Sequence, residues 1–332
     1  MATVRVFLPT YRRPHLLPRA IASLRAQTFS DWICDVHNDA PEDDTPRKLL
    51  SRLKDTRFCL NQHQRNLGGG ATFNLFYRAT EEPFFSILED DNWWEPEFLE
   101  EMLYVASQEP DIQVLWSNMR LWREQSDGSF LALGRCIQDS TTGSPIERVA
   151  WGTRHQIVGA LHSNGAALHR SHPELNYQIP AVPFAAVEMF RERMFPHPLV
   201  LVRKPLANFS ITLRSERTNN AGEWAEVQTA LAATFLKHAS YDAARLGEIW
   251  AAARAQRPPG TSTLLLAGLV EPACRPLLRH ATSLDWLRLA RGLIRRPRVL
   301  RRVLRSRVSH PDWWQFLEQH TAARFAEARA RS

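Results

Sequence analysis

Cysteine is scarce. The four cysteines among 332 residues, Cys34, Cys59, Cys136 and Cys274, lie far apart and form no C-x-x-C pair. A disulfide framework and a cysteine-based zinc site therefore find no support, and a reducing, cytoplasmic setting is expected. No run of 18 apolar residues occurs, so no transmembrane helix is expected. The opening MATVRVFLPTY reads as a strand and not as a signal peptide. No G-x-x-x-x-G-K-[ST] is present, because no such lysine follows Gly68, Gly69 and Gly70. No G-x-G-x-x-G opens the first helix either, which disfavours ATP- and nicotinamide-dependent chemistry. A fixed-period repeat is also lacking. What remains is a globular composition, 44% hydrophobic and 23% charged, with a formal net charge of +7. The length fits one large domain with an appended unit, or two domains.

The chain alternates strand and helix patterns as far as Ser117. Strands are expected at 3–9, 32–37, 58–60, 83–88 and 111–117. Helices are expected at 14–28, 45–54, 68–80 and 95–108. Such alternation implies a mostly parallel α/β sheet with helices on both faces. Beyond it, MRLWRE and GSFLALGR flank QSDG as a hairpin. Residues 140–215 are rich in Pro, Gly, His and Asn and read as a loop-rich substrate region, and the pattern turns helical from about Gly222. The expected division is 1–117 and 118–221 as two halves of one core, then 222–332 as a helical extension.

The strand PFFSIL runs straight into Glu89, Asp90, Asp91 and Asn92. Ligands of open α/β sheets bind beyond the carboxyl ends of the strands. Clustered carboxylates there suit a hard divalent cation, Mn²⁺ or Mg²⁺, completed by phosphate oxygens and water. A solvated loop with an N-cap before Pro96 is an equal reading of EDDN taken alone.

Four ordered motifs resemble family 2 glycosyltransferases of the GT-A fold, of the spore-coat nucleotide-diphospho-sugar transferase type. They are VRVFLPTYRRPHLLPRAIASLRAQTFSDW, HNDA, QRNLGGGATFN and SILEDDNWWEPEFLE. The resemblance covers residues 3–117, fades from 150 to 205 and is absent beyond about 220. It implies a nucleotide-diphospho-sugar donor. Pro9, Thr10 and Tyr11 would line the nucleotide, and Asp39 would accept the N3–H of a uracil or thymine ring. Arg65 and Asn66 would lie on the donor loop, Glu89 and Asp90 beside the ribose and diphosphate, and Asp91 on the metal. As a residue alone, Asp39 in NDAPEDD also reads as a turn former.

An inverting transfer needs a general base. The family's acid would fall near Ala185 or Ala186, neither of which can act, so Glu188 is the candidate, with Glu192 one turn later. His162, His169 and His172 stand near the acceptor-side segment. Trp94 is the aromatic singled out for stacking on a sugar ring.

Residues 286–307 carry nine arginines and no acidic residue, with Leu289, Leu293, Leu300 and Leu304 at helical spacing around a kink at Pro297. An anionic membrane surface, at the inner face of the membrane, is one reading. A helix packed by its leucines with a solvated arginine face is the other. No nucleic-acid reading module is recognised. The expectation is a cytoplasmic, metal-dependent, inverting glycosyltransferase using a UDP- or dTDP-sugar and an unidentified acceptor. The alternative is a donor-binding or scaffold protein on the same fold that has lost its base.

Overall fold

A computed structural model describes residues 2–138, 143–149, 164–179, 191, 198–213, 221–255 and 260–331. It divides into two units, one made by the first 149 residues with the segments around 164–179 and 198–213, the other by the chain beyond 221.

In the first unit, strand β1 (Val4–Thr10) is followed by helix α1 (Leu17–Arg25), β2 (Trp32–Asn38), α2 (Thr45–Leu53), β3 (Phe58–Gln62), α3 (Gly69–Phe76) and β4 (Phe84–Ile87). Pro18 and Pro46 fall in the first turns of α1 and α2, where a missing N–H costs nothing. β3, β2, β1 and β4 lie side by side, all parallel. Then come β5 (Trp93–Trp94), α4 (Phe98–Gln108), β6 (Val114–Glu124), β7 (Phe130–Cys136), β8 (Ile146–Val149), β9 (Ala167–Arg170) and β10 (Leu199–Ile211). β9 runs antiparallel between β4 and β6, and β10 lies parallel to β6.

Side-chain alternation along β1 dictates the layers. Val4, Val6 and Leu8 are buried in one core with Leu17, Ile21 and Leu24 of α1 and with Phe98, Leu99 and Met102 of α4. Phe7, pointing the other way, stacks on Phe76 of α3 with ring centroids 4.8 Å apart. Helices thus cover both faces.

In this unit the structure departs from expectation at two places. The fifth strand and the first arm of the hairpin are one continuous strand, Val114–Glu124, paired along its length with β10. Trp94 is not a stacking platform, since it is 2% exposed, lies against Phe98 and donates its indole N–H to the Gly165 carbonyl at 2.7 Å.

The second unit holds α5 (Ala221–Ala239), α6 (Ala243–Ala255), α7 (Thr261–Val270), α8 (Ser283–Arg295), α9 (Arg298–Ser309) and α10 (Pro311–Arg331). Pro297 does not kink one helix. It separates two, with α8 ending at Arg295 and α9 starting at Arg298. No helix of the described residues is long and apolar enough to cross a membrane.

Candidate active site

Parallel pairing of β1 with β2 and β4 brings three carboxyl ends together. Asp39 N–H donates to the Thr10 carbonyl at 3.0 Å, and Leu88 N–H to the Phe7 carbonyl at 2.9 Å. The turn after β1 is thereby held between Asp39 and the acidic turn that follows β4.

The acidic turn is held from several sides. Thr10 donates its hydroxyl to Asp90 Oδ2 at 2.8 Å. Arg13 spans both aspartates, with Nη2 2.5 Å from Asp90 Oδ1 and Nη1 2.7 Å from Asp91 Oδ2. Arg19 donates to the Asp91 backbone carbonyl at 2.8 Å, and the Ser210 hydroxyl donates to that same oxygen. Asn92 donates to Glu89 Oε2 at 2.6 Å and accepts from the Ser210 N–H at 3.1 Å. Gly165 packs beside them. A Cβ there would meet Asn92 Nδ2 at 2.9 Å and Glu89 Oε2 at 3.1 Å.

Asp90 is fully buried, and burial pushes its carboxyl up to about 7 against the pull of Arg13, with Asp91 adding to the rise. Burial also acts against Arg13, but the carboxylates of Asp90 and Asp91 outweigh it and hold the guanidinium above its ordinary value. Burial draws Arg19 down to about 10. Its guanidinium lies 3.9 Å from the Trp93 ring centre and 3.6 Å from that of Phe130.

Asp39 is 4% exposed. Its Oδ1 accepts from Leu67 N–H at 2.7 Å and lies 2.9 Å from His63 Nδ1, while Oδ2 accepts from Gly68 N–H at 2.9 Å. Gly68 has φ of +80°, which favours glycine, and Asn66 also accepts from its N–H at 2.7 Å. Asp39 therefore fastens the 66–68 loop, and among the described residues Oδ2 accepts from Gly68 N–H alone, which leaves one lone pair. Arg65 is exposed on this loop, Pro9 lies near the carboxyl end of β1 and Tyr11 just past it.

Behind Asp39, His37 Nδ1 lies 3.1 Å from His63 Nε2, and the His37 ring packs against Phe7 and Phe76. Burial pulls His37 down to about 4, with His63 adding to the fall and Asp35 opposing it. In the unfolded chain the ring takes its proton near 6.5. Between these values the unfolded state binds more protons, so stability falls as pH drops from about 6.5 toward about 4. About 2 kcal/mol should be lost between pH 7 and pH 5 from this group. His37→Phe should remove that slope, read as urea midpoints at the two pH values. An equal loss in both proteins would mean that His37 is not the titrating group.

Glu188, Glu192, His155, His162 and Trp151 lie outside the described residues. His169 is buried and stacks on Phe85, with centroids 4.7 Å apart. Sequence reasoning passed over Arg13 and Arg19. The available signal was their position: one arginine in the turn after a strand and one in the first turn of the helix that follows, with a later strand ending in three carboxylates.

Among the described residues, no three His, Cys, Asp or Glu side chains gather as a metal cage. The donor set is nonetheless hard oxygen, and the Asp91 side chain keeps 18% exposure. That fits a Mg²⁺ or Mn²⁺ ion that arrives with a diphosphate and takes one protein carboxylate.

The architecture is that of a GT-A fold. It is similar to Staphylococcus aureus TarS residues 1–349 in complex with UDP, at 15% identity and a TM-score of 0.57, covering all of this chain and 92% of that one. The same TarS fragment in complex with UDP-GlcNAc aligns at 14% identity with a TM-score of 0.54, covering 99% and 90% of the two chains. Residues 5–124 match the glycosyl transferase family 2 model. EpsH of Bacillus subtilis, which carries a glycosyltransferase name, is 30% identical over 112 residues, 33% of this chain and 32% of EpsH. The GalNAc(5)-diNAcBac-PP-undecaprenol beta-1,3-glucosyltransferase of Campylobacter jejuni is 33% identical over 95 residues, 28% of this chain and 30% of that protein. The chain thus spans about a third of the length of these curated relatives.

Proposed function

We propose that the chain is an inverting glycosyltransferase that uses a UDP- or dTDP-sugar. The observation that carries this reading is the meeting of Asp39, Thr10, Arg13, Asp90 and Asp91 at the carboxyl ends of three parallel strands. Asp39, through the free lone pair of Oδ2, accepts the base N3–H. Pro9, Thr10 and Tyr11 flank the nucleotide, with Arg65 and Asn66 on the adjoining loop. Glu89 lies beside the ribose, and Asp90, being fully buried, acts on the diphosphate side through Thr10 and Arg13 and not by direct contact. Asp91 is the residue to hold a divalent ion, which when bound supplies Lewis-acid stabilisation of the departing diphosphate. Arg13 balances the two aspartates and keeps their charge from repelling the donor.

In the transfer, the bond from the anomeric carbon to the diphosphate oxygen breaks and the diphosphate leaves with the electron pair. The acceptor oxygen bonds to that carbon from the opposite side and gives its proton to the base, assigned to Glu188. The acceptor is left open.

A panel of UDP- and dTDP-sugars tests the reading through donor consumption, with acceptor or by slow hydrolysis. A protein that binds a sugar nucleotide and never turns it over would instead be the donor-binding scaffold. Asp39→Asn sharpens the assignment of the base contact. The amide keeps the size but places N–H groups where only acceptors fit, facing the base or the Leu67 and Gly68 amides. That should cost about 1–3 kcal/mol, so UDP or dTDP should bind roughly 10-fold or more weakly by calorimetry. Unchanged affinity would leave Asp39 with its loop-fastening role alone.

A further inference from the structure

The second unit carries a surface that the donor site does not explain. Helix α8 is fixed inward by Asp285, 0% exposed, which accepts from Arg254 at 2.8 Å, and by Leu289. α9 is fixed inward by Val303 and by Ser306, whose hydroxyl accepts from the Trp314 indole at 3.0 Å. Arg302 pairs with buried Glu226, and Arg307 with Glu271. These anchors orient the opposite faces outward.

At 100° per residue, Leu284, Leu287, Arg291, Ile294 and Arg295 share the outward arc of α8. Arg301, Leu304, Arg305 and Val308 share that of α9. Leu287 is 64%, Ile294 81%, Leu304 54% and Val308 84% exposed. Arg291, Arg295, Arg296, Arg298, Arg301 and Arg305 are all exposed, with no carboxylate partner among the described residues. Trp286, 39% exposed, stands at the flank of α8. Two consecutive helices thus expose aliphatic side chains interleaved with unpaired arginines, and 286–307 holds no acidic residue to balance them.

The apolar side chains have no use in water, and the guanidinium groups call for anions. One partner satisfies both at once. We propose that α8 and α9 form a membrane-surface face, with Leu287, Ile294, Leu304 and Val308 entering the boundary between headgroups and acyl chains, and the arginines meeting anionic headgroups. A polyanion such as nucleic acid would answer the arginines but leave the aliphatic groups exposed.

The test is sedimentation of the full chain with unilamellar vesicles, one set of phosphatidylcholine alone, the other containing about a third phosphatidylglycerol. The chain should bind the anionic vesicles and not the neutral ones, and lose affinity as salt is raised. Exchanging Arg291, Arg295, Arg301 and Arg305 together for glutamine removes no ion pair, so the fold should persist. At roughly fivefold per arginine, binding should drop about 100-fold or more. A second variant, Leu287→Ser with Ile294→Ser, keeps every charge and should still weaken binding about 10-fold or more. Equal binding to both kinds of vesicle, or undiminished binding by the arginine variant, would overturn the proposal. So would a serine variant that binds as the wild type does, since the face would then be a plain polyanion site. Equally tight binding of duplex DNA, lost only in the arginine variant, would lead to the same conclusion.

Discussion

Mn²⁺ should no longer strengthen donor binding once Asp91 is replaced by alanine. In the wild type the expected order is tight binding of UDP with Mn²⁺ and weaker binding after chelation with EDTA. In Asp91→Ala the two titrations should coincide, and transfer should fall by more than about 100-fold, as loss of an electrostatic stabiliser of the leaving group does. The fold should survive. Arg19 and Ser210 hold the Asp91 backbone carbonyl and not its side chain, and Asn92 is tied separately to Glu89 and to the Ser210 N–H. Removing the carboxylate also relieves its repulsion with Asp90, while Arg13 keeps the Asp90 contact. Calorimetry with and without metal separates the outcomes. A metal-dependent gain of equal size in the variant would remove Asp91 from the role assigned to it.

Glu188→Gln should show the reverse pattern, with binding intact and transfer lost. The amide keeps the shape of the side chain and gives up most of its proton affinity. General-base catalysis contributes about 10²–10⁴-fold, so turnover should fall by that order while UDP affinity barely changes. Slow donor hydrolysis should fall too, if the same carboxylate orients the attacking oxygen. Near-normal turnover would send the proton elsewhere, with Glu192 the next candidate to be exchanged.

The first four strands were legible because each is a short apolar run closed by turn residues, and their helices carry apolar residues at 3.6-residue spacing. The acidic turn was legible for the same reason: carboxylates directly after a buried strand are conspicuous. Pairings between distant segments were not. Nothing in ALHR at 167–170 announces that it will run antiparallel between β4 and β6, nor does WW announce a two-residue bridge to β10. Register is set by partners far along the chain, and local pattern is silent about them. The same holds for Arg13 and Arg19. An exposed arginine and one that clasps a carboxylate look alike until the sheet brings Asp90 and Asp91 beside them. Trp94 misled for a related reason, since its proximity in sequence to the acidic turn says nothing of the face on which it lies. Alternation sends Trp93 to the rim and Trp94 inward.

Arg19 touches three pieces of the first unit at once. Its stem belongs to α1, its N–H grips the carbonyl of Asp91, and its flat faces meet Trp93 and Phe130, the latter on the β7 arm of the hairpin. Such a rivet leaves little freedom for independent movement. A ligand that drew Asp91 inward would pull through Arg19 on the hairpin, and a load on the hairpin would pull through the same side chain on the acidic turn. Occupancy at one end of this small mechanical train would thus be felt at the other without any change in the sheet beneath.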